Sequence, residues 1–195
     1  AAAATDPAHL LATASGRLPD VWPRNADQDD ALVLRVGTAD QPASITLDAD
    51  PWPGMPELTL PAAPVTVDLA EVGVLAVVGP PDRTAGLVRW LVVQLATLRA
   101  PHDLRLVVLA ADGAPHLAWT RWLPHVTGGA DVPCAVGVTG ASRTARVREL
   151  RDLADALVRL HLVRQVGEDV RVRDLRARLA VALLAGVHVR LLDGV

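Results

Sequence analysis

The chain has 195 residues, of which 51% are hydrophobic, and it carries a formal net charge of −3. This length suits one domain, or one domain with a small appendage, and the apolar content is sufficient for a buried core. A single cysteine, Cys134, excludes an internal disulfide and a multi-cysteine metal site, and no apolar run reaches the roughly 18 residues of a membrane helix. We therefore expect the chain as given to be soluble.

The charge is distributed unevenly along the sequence. Residues 1–70 carry three arginines and ten acidic residues, whereas residues 71–195 carry sixteen arginines and twelve acidic residues. The arginines concentrate in residues 142–178, where acidic residues alternate with them. This alternation favours a solvated or subunit-facing helix surface over a nucleic-acid surface, which is usually more basic.

The N-terminal third predicts a small helix and a small β element. An alanine-rich stretch favours a helix over residues 9–14, and Gly16 and Pro19 end it. Alternating apolar residues after an acidic turn then predict a hairpin with strands at 32–36 and 44–47.

Residues 49–64 are rich in proline and predict an irregular connector. We expect Trp22, beside Pro23, to cover the apolar face of the hairpin. The sequence therefore divides into an N-terminal region, residues 1–64, and an α/β domain, residues 65–195.

Apolar strands alternate with amphipathic helices in the second region. The periodicity predicts strands over 64–67, 72–78, 104–110, 132–138 and 187–192, and helices over 85–99, 142–164 and 171–185. Ser142 is the expected N-cap of the long helix, and residues 119–126 are expected to be a tryptophan-rich loop. Strands and helices in this order imply right-handed βαβ units and a mostly parallel sheet with helices on both faces.

The segment VLAVVGPPDRTAG, residues 74–86, has the strand–loop–helix layout of a phosphate-binding loop. In that loop the pattern is Gly, four residues, Gly, Lys, and then Ser or Thr. Counted from Gly79, the last three positions are Thr84, Ala85 and Gly86. The second glycine, the lysine and the magnesium-binding hydroxyl are therefore all replaced.

Two further features distinguish this loop from a working phosphate site. Pro80 and Pro81 carry no N–H group, so two potential phosphate donors are missing. The chain contains no lysine, and Arg83 is a bulkier substitute two positions early. An ordinary strand-to-helix turn and a vestigial nucleotide contact both remain open. The residues of the vestigial site would be Gly79, Asp82, Arg83, Thr84, Ala85 and Gly86.

Other candidate sites are few. Trp119 and Trp122, three residues apart beside Arg121, form either a partner-facing aromatic patch or a cover for the sheet edge. The six histidines are scattered and show no metal-binding spacing, so we assign no metal site.

The order of motifs resembles the FtsK/SpoIIIE ATPases, in particular the EccC-type membrane ATPases of type VII secretion in actinobacteria. The resemblance covers roughly residues 20–193. Five segments carry it: VVGPPDRTAG (77–86), LRLVVLAADG (104–113), WLPHV (122–126), AGVHVRLLD (185–193) and WPRNADQDDALVLRVGTAD (22–40).

The resemblance implies a P-loop NTPase-like (RecA-like) fold, preceded by a small β element. It also implies that the parent chain uses ATP and magnesium at the cytoplasmic face of the cell membrane. The expected partners are other ATPase modules of the same chain and membrane subunits of the secretion complex, with a hexamer as the expected assembly of the parent.

The departures from the family pattern point to a degenerate module. The acidic remnants are Asp112, at the end of one apolar strand, and Glu168 with Asp169, in a segment too polar for the family's second acidic strand. Without lysine, hydroxyl and a secure acid, phosphoryl transfer lacks its positioning and charge-stabilising groups. We expect no catalytic residue and no cofactor in this chain. The alternatives are an ATP-binding motor domain that uses Arg83, and a DNA-translocase module.

Overall fold

The structure is a computed structural model of the 195-residue chain. It describes residues 6–17, 21–43, 58–110, 115–127, 135–164 and 181–185. Within those ranges, no helix combines the length and the apolar character that crossing a membrane requires.

The described residues form two small sheets and several helices. In chain order the elements are α1 (Pro7–Ala14), β1 (Val33–Pro42), β2 (Thr59–Asp68), α2 (Leu69–Val72), α3 (Pro81–Leu98), β3 (Leu106–Ala110), a 3₁₀ helix (Pro115–Trp122), β4 (Val136–Gly137), α4 (Gly140–Arg164) and β5 (Val181–Ala185). β1 and β2 form an antiparallel pair, and the other sheet is parallel with the order β4-β3-β5. The predicted α/β class is confirmed.

The first helix follows the sequence prediction. Asp6 caps it, accepting a hydrogen bond from the backbone N–H of His9 at 3.0 Å, and Pro7 occupies the first helical position, where an N–H is not needed. Leu10 is its buried anchor, at 2% exposure.

The prediction of an irregular connector is wrong for its last residues, because β2 begins at Thr59. Proline is tolerated there because a two-stranded sheet consists only of edge strands, and an edge strand can lack a ladder donor. Pro64 lies opposite Thr38, and the register shifts between Arg35 and Gly37. The predicted strand at 44–47 lies outside the described residues. The pairing of β1 with β2 joins residues from both sides of the predicted domain boundary, which itself stays a prediction.

The predicted central strand at 72–78 is also wrong. Asp68 caps the short helix α2 through the Ala70 N–H at 2.8 Å, and Gly73 ends it with a φ of +69°. Residues 74–78 pair with no strand of the described chain. Leu75 and Val77 pack against the core, so the apolar alternation reflects the packing of one face and not membership of a sheet.

Helix α3 supplies the centre of the core. Leu91, Leu95 and Leu98 recur at helical spacing and are at most 9% exposed. Leu91 and Leu95 belong to one core cluster with residues of β1 and of β3, whose five residues are all buried, as expected for a strand covered on both faces. The helix begins at Pro81, four residues before the predicted start, because proline fixes the dihedral angle that a first helical residue needs.

Helix α4 begins with reciprocal side-chain caps. The Thr139 hydroxyl accepts the Ser142 N–H at 3.2 Å, while the Ser142 hydroxyl oxygen accepts the Thr139 N–H at 2.9 Å. This is a capping box with serine in the place of the usual glutamate, so Ser142 lies in the first turn and is not the predicted N-cap.

Two further predictions need correction. Residues 181–185, predicted as the end of a helix, form β5, whose Val181 lies opposite Leu106 of β3. The run VALLA is short and apolar, and such a run suits a buried strand as well as a helix. The predicted tryptophan-rich loop begins inside the 3₁₀ helix. The predicted strand at 187–192 and most of the helix at 171–185 lie outside the described residues.

Candidate functional site

The loop before α3 is where the sequence places a vestigial phosphate site. Gly79 has a φ of +156°, Pro80 is the N-cap residue without a side-chain cap, and Pro81 is the first helical residue. A helix N-terminus binds phosphate through backbone N–H groups that have no partner in the helix. Here proline removes two of them, and the Thr84 N–H is bonded to the Pro80 carbonyl at 3.0 Å.

The hydroxyl of Thr84 is directed back into its own helix. It lies 2.9 Å from the Pro81 carbonyl oxygen and 3.2 Å from that of Pro80, and it donates to them. This bond satisfies two carbonyl groups near the start of α3 and occupies the hydroxyl's single proton. Thr84 therefore stabilises the first turn, and Ala85 beside it contributes no polar group.

The two charged residues of the first turn have opposite effects on a bound phosphate. Asp82 is exposed and favours the positive end of the helix dipole, but its carboxylate repels an anion at the same place. Arg83 is exposed as well, and its guanidinium is the cation that this turn presents. The residues of this loop do not fit a β/γ-phosphate with magnesium, since Ala85 stands at the lysine position and Gly86 at the position of the magnesium-binding hydroxyl.

Gly86→Ala is expected to stabilise the chain by about 0.5–1 kcal/mol, because glycine inside a helix costs roughly that much relative to alanine. A Cβ at this position meets nothing within 4 Å. Urea unfolding of the two proteins measures the difference. A loss of stability would show that Gly86 serves a close backbone approach, as the glycines of a phosphate loop do.

The middle of α3 holds strand β1 by its backbone. The buried Gln94 amide accepts the Arg35 N–H and donates to the Arg35 carbonyl, both at 2.9 Å. The Trp90 indole N–H donates to the same carbonyl at 2.7 Å. The Gln94 side chain thus forms the two backbone hydrogen bonds that a neighbouring strand would form, and these bonds fix the position of β1 on α3.

The C-terminal end of α3 is capped by residues 22–24. The Trp22 N–H donates to the Thr97 carbonyl, the Trp22 indole N–H to that of Ala96, and the Arg24 N–H to that of Leu98, each at 3.0 Å. These carbonyls would otherwise lack partners at a helix end. Trp22, predicted to cover the hairpin, instead lies on the end of α3, with a positive φ of 62°.

Two arginines are buried below this cap. Arg24 donates to the Asp30 and Val33 carbonyls at 2.9 and 2.7 Å, and it forms an ion pair with the Asp30 carboxylate at 3.5 Å. Arg99 is fully buried and donates to the Asp103 carbonyl at 3.4 Å. Burial lowers the pKa of both guanidinium groups, while Asp30 and Asp103 raise the pKa of Arg24 and Arg99 respectively. Both remain charged at neutral pH.

His125 also lies at the C-terminal end of α3, in contact with Arg99 and Trp22. Its Nε2 lies 2.7 Å from the Arg99 carbonyl, and the Trp22 ring packs edge-on at a centroid distance of 6.4 Å. A carbonyl only accepts, so Nε2 carries the proton and Nδ1 is the unprotonated nitrogen. Nδ1 is buried and has no hydrogen-bond partner in the described part of the chain. Burial lowers the pKa of His125, and the bond to Arg99 raises it by less.

Lowering the pH should destabilise the chain through His125. Burial lowers the pKa of His125 in the folded protein below the value near 6.5 of the unfolded chain, so stability is lost as the pH falls below about 6.5. The loss is at most about 1.4 kcal/mol per pH unit. Urea unfolding between pH 5 and pH 8 measures it, with His102→Gln as the control because the His102 side chain is 80% exposed.

A pH titration of the NMR resonances of the His125 ring tests the same argument directly. In the folded protein they should not titrate near pH 6.5, the ordinary pKa of a histidine. A normal titration of His125 in the folded state would contradict the burial argument.

The two tryptophans of the 3₁₀ helix have different environments. Trp119 packs against the core, whereas Trp122 is 81% exposed. Arg121 is exposed and donates through Nε to the Ala118 carbonyl at 2.9 Å. Each of the two interpretations of the sequence thus describes different residues. Trp119 packs against the core, and Trp122 and Arg121 lie on the surface.

The remaining predicted site residues cannot be placed. Asp112, Glu168 and Asp169 lie outside the described residues. Among the residues that the structure does describe, no three or more His, Cys, Asp or Glu side chains are grouped to hold a metal ion.

Sequence reasoning missed the buried polar residues around α3. Gln94 sits on the apolar face of its helix, and that position was the one available signal. Arg99 gave none, because a single arginine in a sequence does not reveal whether it is buried.

The chain is similar to proteins of a secretion system. It is 29% identical over 124 residues to the ESX secretion system protein EccC of Thermomonospora curvata, covering 55% of this chain and 9% of that protein. It is 28% identical over 137 residues to the ESX-4 secretion system protein EccC4 of Mycobacterium tuberculosis, covering 62% and 11%. It is 29% identical over 122 residues to the ESX secretion system protein YukB of Bacillus subtilis, covering 54% and 8%. No family model matches the chain.

These likenesses define the class first: the chain is a relative of ESX, or type VII, secretion-system proteins. More particularly, it is related to the EccC type, which confirms the resemblance carried by the order of motifs. The matched segment covers only 8–11% of the length of these relatives.

Proposed function

We propose that this chain is a non-catalytic, degenerate ATPase-like module of a membrane-anchored FtsK/SpoIIIE-type translocation ATPase, and that it acts in the assembly or regulation of type VII secretion. The observation that carries the proposal is the N-terminus of α3. There Pro80 and Pro81 remove two donors, and the Thr84 hydroxyl is bonded to the carbonyl groups of both prolines. The polar groups of Thr84 thus stabilise the start of α3, and the turn lacks two of the donors that a phosphate site uses.

The finer fold assignment belongs to the same proposal. The parallel sheet β4-β3-β5 and the helices α3 and α4 support a P-loop NTPase-like, RecA-like arrangement. ATP and magnesium then serve other modules of the parent chain, and this module needs no cofactor.

The proposed partners are protein surfaces at the cytoplasmic face of the membrane. They are the other ATPase modules of the same chain and the membrane subunits of the secretion complex, with a hexamer as the assembly of the parent. Trp122 and Arg121 supply an exposed aromatic and cationic contact of the kind that dominates protein interfaces. In α4 the Arg146 side chain is buried and pairs with Glu149, so this arginine is not exposed to a nucleic-acid backbone.

Calorimetric titration of the 195-residue chain with ATP and magnesium, and separately with ADP, tests the proposal. At protein concentrations of about 0.1 mM, which detect even weak sites, we expect no heat of binding. One-to-one, magnesium-dependent ATP binding would overturn it.

A second candidate, an ATP-binding domain that uses Arg83, is supported by the exposure of this residue in the first turn of α3. If ATP binds, Arg83→Ala should abolish the heat. Arg89→Ala, which removes an exposed arginine further along the same helix, should leave it unchanged. Equal binding by both variants would eliminate this candidate.

A further inference from the structure

Trp22 has a backbone conformation that its own sequence disfavours. Its φ of 62° lies in the left-handed region, which a bulky residue rarely occupies. The next residue is Pro23, and a residue before proline prefers an extended conformation with negative φ. Strained dihedral angles of this kind persist where the surrounding contacts offset their cost. The conformation of Trp22 therefore depends on the contacts of its peptide group and its ring.

Those contacts lie at the C-terminal end of α3. The Trp22 N–H donates to the Thr97 carbonyl, and the indole N–H donates to the Ala96 carbonyl, each at 3.0 Å. The ring also packs edge-on against His125. Trp22 is nevertheless 39% exposed, and Val21 before it is 44% exposed. Two hydrogen bonds to α3 and a partly exposed ring thus hold a strained residue.

Arg24, two residues further on, is held more firmly. Its N–H donates to the Leu98 carbonyl at 3.0 Å, and its side chain is buried. The guanidinium donates to the carbonyl groups of Asp30 and Val33, and it forms an ion pair with the Asp30 carboxylate. A buried charge with such contacts is costly to detach. Trp22 and Arg24 therefore differ in how easily they leave the end of α3.

We propose that Trp22 is a latch with two states, and that Arg24 stays fixed on α3 while residues 21 and 22 detach. In the closed state Trp22 caps two carbonyl groups of α3 with a strained φ. In the open state it takes the extended conformation that a residue before proline prefers, and its two N–H groups face water. The latch thus determines whether the chain before Trp22 is held on the end of α3. It is independent of nucleotide binding and of the proposed function.

The helix can stay intact while the latch opens. The Leu98 carbonyl keeps its bond from the Arg24 N–H, and the Arg99 carbonyl keeps its bond from His125. Opening therefore leaves two carbonyl groups of the last turn capped and gives the other two to water. Local openings of this kind require less free energy than global unfolding.

Hydrogen exchange of the 195-residue chain, followed by NMR in urea below the unfolding transition, tests the proposal. The backbone and indole N–H protons of Trp22 should report the same opening equilibrium. This equilibrium should hardly depend on urea, because local opening exposes little surface. The Arg24 N–H should be protected at least about tenfold more. The Leu95 N–H, in the buried part of α3, should exchange through global unfolding, with a full dependence on urea.

Substitutions at position 22 test the role of the strained φ. Trp22→Gly and Trp22→Ala both remove the ring, but glycine adopts a positive φ without strain. The N–H of residue 22 should therefore have an about fivefold higher protection factor in the glycine variant than in the alanine variant. Circular dichroism verifies that each variant is folded.

Val21→Gly and Val21→Ala are the matched controls, since Val21 is an exposed neighbour without a positive φ. There the order should reverse. Glycine should give the Trp22 N–H the lower protection, because glycine loses more backbone freedom when the latch closes.

Three results would overturn the proposal. The first is that the Trp22 protons show no protection, or exchange only through global unfolding. The second is equal protection of the Trp22 and Arg24 N–H groups, which would show that residues 21–24 open together. The third is lower protection with glycine than with alanine at position 22, which would show that this φ stores no strain.

Discussion

Replacing Gln94 by leucine should lower the free energy of unfolding by about 3 kcal/mol, because it removes two part-buried hydrogen bonds to the Arg35 backbone and takes away the acceptor that Gln94 offers its N–H. The volume of the side chain hardly changes, so the loss reports on the hydrogen bonds and not on a cavity. Gln94 is completely buried, and both of its bonds to Arg35 are 2.9 Å long. Urea unfolding monitored by circular dichroism gives the value.

Trp90→Phe is the matched control for that substitution. It removes the other donor to the Arg35 carbonyl but leaves Gln94 to satisfy both groups of Arg35, so the hydrogen-bond loss should be about 1 kcal/mol. If the Gln94 variant were as stable as the unaltered chain, the backbone of β1 would not depend on α3.

Gly137→Ala should destabilise the chain by about 2 kcal/mol, which is in the range for overpacked interiors. A Cβ at this position would lie 3.0 Å from the Cα and 3.1 Å from the N of Arg143, and 3.2 Å from Cδ2 of Leu109. The first two are backbone atoms of α4 and cannot rotate away. Displacing α4 would also strain the bond from the Arg143 guanidinium to the Ala110 carbonyl, at 2.7 Å, which ties the helix to the end of β3.

Gly37→Ala is the control, since a Cβ there meets nothing within 4 Å in β1. Its stability should remain within about 0.5 kcal/mol of the unaltered chain in the same unfolding experiment. Equal effects at both glycines would indicate that backbone freedom, and not the close approach of α4, determines the cost.

The sequence predicted the elements whose pattern and packing agree. The leucines of α3 repeat at helical spacing because one face of that helix is buried, and β3 is continuously apolar because both of its faces are buried. Prediction from the sequence failed where one pattern is compatible with two structures. The alternation at 74–78 arises from one packed face without a pairing partner in the described chain, and the run at Val181–Ala185 is compatible with both structures.

The candidate site was predictable only in its covalent features. The missing lysine and the absent N–H groups of Pro80 and Pro81 are visible in the sequence itself. That the Thr84 hydroxyl bonds to its own helix depends on a side-chain rotation, which no spacing rule specifies. The burial of Arg99 and His125 arises from contacts between segments far apart in sequence, and a local pattern does not encode such contacts.

The bonds between residues 22–24 and the last turn of α3 have a mechanical consequence. Tension applied to the chain before Trp22 would load the peptide groups of Thr97 and Leu98 directly, because the hydrogen bonds to them come from the backbone N–H groups of Trp22 and Arg24. An 18-residue helix is about 27 Å long, and a rigid rod of that length displaces both of its ends together. Tension at the C-terminal end of α3 would therefore also displace the loop at Pro80, at the N-terminal end of the same helix.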